Sequence, residues 1–130
     1  MSKVLNKILY VEDDINIQAI SQVALTTIGN FEICCCYSGK EALEKIDEFD
    51  PDLVLSDVMM PEVDGPTMLK TLRNDPKYDK VPVVFISARA QKHEIDEYKR
   101  IGAAEVISKP FDPLSLPEEL KAIWANLQSE

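Results

Sequence analysis

Four positions with chemically capable side chains each close a short, mostly apolar run. Glu12-Asp13 follow Lys7-Ile8-Leu9-Tyr10-Val11, Asp57 follows Leu53-Val54-Leu55-Ser56, Ser87 follows the stretch from Val81 to Ile86, and Lys109 follows Glu105-Val106-Ile107-Ser108. Carboxylates brought to one place repel. Two unit charges about 4 Å apart, at an effective dielectric constant of about 20, oppose each other by about 4 kcal/mol. Such a cluster needs a cation. Carboxylate oxygens with room left for water suit Mg²⁺ better than a metal that wants nitrogen or sulfur. An ammonium and a hydroxyl facing the same space match the oxygens of a phosphoryl group. A carboxylate beside them can attack phosphorus and carry an aspartyl phosphate.

The elements that must position these residues follow from periodicity and punctuation. Apolar runs bounded by turn signals are strands buried on both faces, as in a parallel sheet. They fall at Lys7 to Val11, Phe31 to Tyr37, Leu53 to Asp57, Val81 to Ile86 and Glu105 to Ser108. Helical spacing separates them. Ile17, Ile20, Val23, Ala24 and Ile28 make one apolar face, stopped at Gly29-Asn30; Ala42, Leu43, Ile46 and Phe49 make a second. Ser38-Gly39-Lys40-Glu41 matches a capping box, which starts that second helix. Asp64-Gly65-Pro66 opens a third, carrying Met68, Leu69 and Leu72. A charged helix runs from about Gln91 to Arg100, and a last one, from about residue 117, buries Leu116, Leu120, Ile123 and Leu127 with Trp124 alongside. Five β-α units predict an α/β fold, a parallel sheet with helices on both faces, whose strand ends share one edge. Ligands bind at that edge in open α/β sheets.

The 130 residues read as one domain, 1–130, with no linker or repeat. A charge of −9, from 14 basic and 23 acidic residues, argues against direct nucleic-acid binding. No apolar run nears the ~20 residues that span a bilayer, so no membrane insertion is expected. The segment Met1 to Lys7 lacks a signal-peptide core, which points to a cytoplasmic protein. Cys34, Cys35 and Cys36 alternate in direction along a strand, so they read as small hydrophobes rather than a metal site or disulfide. His93, in a charged helical run, reads as solvated.

With these residues placed, the chain resembles the receiver domain of two-component response regulators, of the single-domain, chemotaxis-regulator-like kind. The likeness rests on Val11-Glu12-Asp13-Asp14, on Leu55 through Gly65 with Asp57 near its start, on Ser87-Ala88 and on Lys109-Pro110-Phe111. It implies a doubly wound, flavodoxin-like (βα)5 fold with sheet order 2-1-3-4-5, an order for which such receivers are a standing example. It further implies that Asp57 accepts a phosphoryl group from a phosphohistidine on a sensor histidine kinase or histidine phosphotransfer protein. Mg²⁺, with Mn²⁺ as an alternative, would be held by Asp13 and Asp57, the Met59 backbone carbonyl and, through water, Glu12. Ser87 and Lys109 would bind the phosphoryl oxygens. The output would be an altered contact with a downstream protein. Such a domain is no enzyme: it catalyses only its own phosphorylation and dephosphorylation. The resemblance also implies a cis Lys109-Pro110 bond.

One departure bears on switching. The family's aromatic, three residues before the lysine, is Val106 here. Less area is then available to bury or expose when the strand ends repack around a phosphoryl group. Met59 and Arg89, two residues beyond the acceptor and the hydroxyl, and Ala88 between, occupy positions that tune the lifetime of the phosphoryl group. Met59 offers no hydrogen bond to an attacking water and Arg89 crowds its path, so slow dephosphorylation is expected. Two rivals fit less well. An aspartate-nucleophile phosphohydrolase would carry Asp-x-Asp on its first strand. A flavodoxin-like cofactor binder would place Gly, Ser or Thr where Glu12-Asp13-Asp14 stand.

Overall fold

The computed structural model describes residues 4–129; Met1 to Lys3, part of the segment read as lacking a signal-peptide core, and Glu130 lie outside the described residues. Strands β1 (Lys7–Val11), β2 (Glu32–Cys36), β3 (Leu53–Asp57), β4 (Val83–Ser87) and β5 (Glu105–Ser108) alternate with helices α1 (Ile15–Val23), α2 (Gly39–Phe49), α3 (Gly65–Arg73), α4 (Lys92–Arg100) and α5 (Leu116–Gln128). All strand pairs are parallel, in the order β2-β1-β3-β4-β5. The fold class expected from the sequence is the one observed.

The central strands are apolar throughout because both their faces are covered. Every residue of β3 and β4 is buried. Leu9, Val11, Val54 and Phe85 pack with Ala42, Ile46, Met68, Leu69 and Leu72 of α2 and α3. The alternate residues Ile8, Tyr10, Leu53, Leu55, Val84 and Ile86 pack with Leu25, Leu116, Leu120 and Trp124 on the other face. Register does the rest for function. Val11 stands opposite Ser56, Asp57 opposite Ile86, and Ser87 opposite Ser108, so the strand ends lie along one edge.

The helix starts carry the expected chemistry with small shifts. Asp64 Oδ1 accepts from the Thr67 amide at α3, and Ser38 Oγ from the Glu41 amide at α2. The Glu41 carboxylate reaches the amide of Tyr37 at 2.6 Å, one residue before the cap, so the box closes on the incoming strand. Trp124 is more buried than its partial packing in sequence suggested, while Ile123 packs only partly against the core. The second and fourth strands are shorter than their apolar runs. His93 is exposed, and Cys34, Cys35 and Cys36 are free thiols, with Cys36 in the core.

α1 contradicts its apolar periodicity. Of the expected face, Ile20, Val23 and Ile28 are 58, 62 and 48% exposed, Ile17 is half-buried and Ala24 is buried, while Gln18, Ser21 and Leu25 outside it are buried. A π-helical turn, Ala24–Ile28, continues α1 and is closed by the Gly29 amide on the Ala24 carbonyl. The buried face is therefore the one carrying Gln18 and Ser21, and the β-branched residues line the outside. Among the described residues no helix is long and apolar enough to cross a membrane. This orientation of α1 has a direct consequence for stability. Leu25→Ala will lower the unfolding free energy by about 3 kcal/mol, while Ile20→Ser and Val23→Ser will change it by less than about 0.5 kcal/mol, as read by urea denaturation. Equal losses at all three would contradict the placement.

Candidate functional site

At the end of β1 the chain divides its three acids. The Glu12 amide continues the ladder onto the Cys36 carbonyl at 3.0 Å, which draws the Glu12 side chain inward to 1% exposure. Its Oε2 accepts from the Asp14 amide at 3.0 Å, and its buried Oε1 has no hydrogen-bond partner. Asp14 turns away to cap α1, accepting from the amides of Asn16 and Ile17. Asp13, between them, is exposed.

β3 delivers Asp57, 6% exposed, to the middle of the same edge. One carboxylate oxygen accepts from the Val58 amide at 3.0 Å and the other from the Lys109 ammonium at 3.0 Å. The start of α3 closes tightly over this strand end. The Gly65 amide bonds the Val58 carbonyl, and a Cβ on Gly65 would lie 2.7 Å from the Asp57 carbonyl oxygen. Glycine is required here by close approach of backbone to backbone.

Lys109 reaches in from the end of β5, ahead of a cis Pro110, and also stands 3.6 Å from Glu12 Oε1. Burial lowers the affinity of its ammonium for the proton, but the Asp57 and Glu12 carboxylates outweigh this and raise its pKa. Burial, with Asp57 close by, pushes the Glu12 carboxyl up to about 7, against the lowering effects of the Asp14 amide and Lys109. Carboxylate oxygens of Glu12, Asp13 and Asp57 lie within 4.8 Å of one another. Once Glu12 gives up its proton, three carboxylates face a single ammonium and the site is net negative. An all-oxygen donor set, a buried Glu12 oxygen without a hydrogen bond and an excess of negative charge fit a hard divalent cation.

Ser87 is at the edge, but its hydroxyl is occupied. Oγ donates to the Arg89 carbonyl at 3.0 Å and accepts from the Arg89 amide at 2.9 Å, closing a turn at the start of the β4–α4 loop. The structure thus gathers Glu12, Asp13, Asp57 and Lys109 around one point and holds the Ser87 hydroxyl against its own loop. Met59 is 72% exposed beyond Asp57, and Ala88 and Arg89 are exposed beyond Ser87. Val106 lies opposite Phe85, half-buried against the same core as the Tyr98 ring, which meets Phe85 edge-on at 5.5 Å.

Two contributors escape the sequence reading. Gln18, on the buried face of α1, donates from Nε2 to the carbonyls of Glu12 and Cys36. Its signal was a polar residue three before Ser21 and seven before Leu25, a helical stripe overshadowed by the isoleucines. Phe85 and Tyr98 form the second pair. Their spacing in sequence gives no hint of contact.

With this geometry in view, the family model for the response regulator receiver domain matches residues 8–121. The chain is 36% identical to response regulator Rre1 of Synechocystis over 92% of its length, which is 50% of that protein. It is 30% identical to chemotaxis protein CheY1 of Helicobacter pylori over 90% of its own length and 95% of the relative's. Among solved structures, Vibrio cholerae chemotaxis response regulator CheY4 superposes with a TM-score of 0.84 at 29% identity, over 92% of this chain and 99% of that one. The chain spans half the length of Rre1 and 23% of the regulatory protein AtoC of Escherichia coli, another relative.

The electrostatics carry a thermodynamic consequence. Mg²⁺ at about 100 times its dissociation constant will stabilise the folded chain by about 2.7 kcal/mol. In a calorimeter the melting temperature should rise with Mg²⁺, fall back with chelator, and respond little in Asp13→Asn. An equal rise in that variant would place the ion elsewhere.

Proposed function

The chain belongs to the response regulator receiver domain family, and from that premise we propose that Asp57 accepts a phosphoryl group from a phosphohistidine and that this group redirects contacts with other proteins. Family membership makes it a phosphoacceptor signalling module of two-component systems. The observation that carries the residue assignment is the Asp57 carboxylate, bonded to Lys109 at 3.0 Å inside the acidic cluster at the sheet edge.

Transfer forms one bond and breaks another. An Asp57 carboxylate oxygen joins phosphorus as the P–N bond opens, and the bonding electron pair returns to the imidazole nitrogen. Glu12, Asp13, Asp57 and the Met59 carbonyl are the groups assigned to Mg²⁺, or Mn²⁺ in its place, which when bound would offset negative charge on the phosphoryl oxygens. Lys109 exchanges its Asp57 oxygen for a phosphoryl oxygen. Ser87 turns its single proton from the Arg89 carbonyl to another phosphoryl oxygen. To donate to phosphate the hydroxyl gives up the Arg89 carbonyl, so loading of the site removes one of the two bonds that tie the β4–α4 loop to Ser87.

That loosening has a route outward despite Val106. Phe85 lies two residues before Ser87 on the same face of β4, and Tyr98 of α4 rests on it. No residue of α4 is fully buried, so the helix is held by half-buried side chains, among them Tyr98, and by the Lys99–Glu105 ion pair. An element so lightly held moves at small energetic cost. The donor's approach is also supported by shape. A cavity of about 380 Å³ lined by Ile17, Ile20, Ala88, Pro110, Phe111 and Pro113 opens beside Lys109. An apolar groove next to a polar site suits a protein donor, a sensor kinase or phosphotransfer helix, rather than a small molecule alone. We take the unit to be residues 1–130, acting in the cytoplasm where such kinases present their phosphohistidines.

Incubation with acetyl phosphate and Mg²⁺ will add the mass of one phosphoryl group to the wild type and none to Asp57→Asn, by intact-mass spectrometry. A phosphorylated Asp57→Asn protein would move the acceptor to another residue. Replacing Met59 and Arg89 together by asparagine and serine should speed loss of the group about tenfold, a barrier change near 1.4 kcal/mol. Decay at the wild-type rate would remove both residues from control of hydrolysis.

A further inference from the structure

A buried glutamine on a helix face that leucine would fill calls for a reason, because burying an amide without full pairing is unfavourable. Gln18 is 1% exposed and spends both of its N–H groups on backbone: 3.0 Å to the Glu12 carbonyl and 2.8 Å to the Cys36 carbonyl. Its Oε1 is buried without a partner. The amide is thus not placed for its own satisfaction. It is placed for the carbonyls.

Those two carbonyls mark the point where β1 leaves the sheet. Paired register ends at Val11 opposite Cys36, and the Glu12 amide makes one more bond to the Cys36 carbonyl at 3.0 Å. Beyond that bond no residue of β2 pairs with the chain, and on the other side β3 ends level with Glu12, at Asp57. Gln18 is what holds the carbonyl of the Glu12–Asp13 peptide, from one turn into α1. The peptide joins two of the three carboxylates in the acidic cluster. Rotation of that peptide plane would swing Asp13, which is exposed and so not confined by packing.

We propose that Gln18 is a positioning residue for cation binding: by clamping the Glu12–Asp13 peptide to the end of β2, it fixes where the Glu12 and Asp13 carboxylates stand relative to Asp57. This rests on the reading that the acidic cluster takes a divalent cation. Groups behind the ligands commonly govern metal affinity by 10–100-fold.

The test compares affinity with stability, using Mg²⁺ itself as the probe in titrations followed by backbone amide shifts of Asp13 and Asp57. Gln18→Met keeps length and bulk but has no donor. Leu25→Val, in the same buried stripe and remote from the acidic loop, lowers stability without touching the clamp. Gln18→Met should weaken Mg²⁺ about 10–100-fold, move the Asp13 amide resonance in the metal-free protein, and leave Leu25→Val with wild-type affinity. Equal affinities in the two variants would reduce Gln18 to a packing residue and overturn the proposal. Should Gln18→Met fail to fold, Gln18→Asn carries the test, its amide drawn back by one methylene. Wild-type affinity in that variant would overturn the proposal as well. A wild-type protein that binds no Mg²⁺ refutes the cation reading itself, a separate outcome.

Discussion

Repulsion among carboxylates gathered at one sheet edge is the constraint from which the rest of this molecule takes its form. Glu12, Asp13 and Asp57 approach within 4.8 Å, in a place where two of them are largely shut off from water. At such separations each pair opposes folding by a few kcal/mol. The chain concedes part of this, since Glu12 holds its proton to about pH 7. It offsets another part with Lys109, drawn 52 residues along the chain to bond Asp57. What remains is a standing demand for positive charge, and a phosphoryl group arriving with a divalent cation alters every term of that balance.

The rigid sheet makes the demand local. β3 and β4 are buried from end to end, so their termini cannot drift apart to relieve the charge. The elements bordering them are held less firmly: the turn closed by Ser87 on Arg89, and α4, with no fully buried residue. A charged core edge fixed by a firm sheet is thus bordered by a lightly attached helix. α1 belongs to the same design in an inverted way. It turns polar residues inward, where Gln18 serves the acidic loop, and apolar ones outward, next to the mouth of the site.

The sheet and the edge at which Glu12, Asp13, Asp57, Ser87 and Lys109 end could be read from the chain because buried parallel strands are continuous apolar runs with abrupt polar ends; the order of the strands followed only from the family resemblance, since apolar runs do not say which strand lies beside which. Helices α2, α3 and α5 were legible for the ordinary reason, apolar residues at helical spacing facing the core. α1 was not. The rule that apolar residues face inward chose Ile20, Val23 and Ile28, and the structure buries Gln18, Ser21 and Leu25 instead. Periodicity reports a stripe, not which side of the helix the sheet occupies. The engagement of Ser87 with its own loop was equally beyond reach, since a hydroxyl at a strand end serves a turn or a ligand with the same residue type. The Tyr98–Phe85 contact depends on how α4 lies across the sheet, which no local pattern encodes.

The account stands on a cation shared by carboxylates from two separate strands. Anomalous diffraction from crystals grown with Mn²⁺ reads this directly. The expected result is one strong peak within metal–oxygen bonding distance of both Asp13 and Asp57, with Glu12 behind it. A peak bound to neither residue, or a fully loaded crystal with that point empty, would contradict the account.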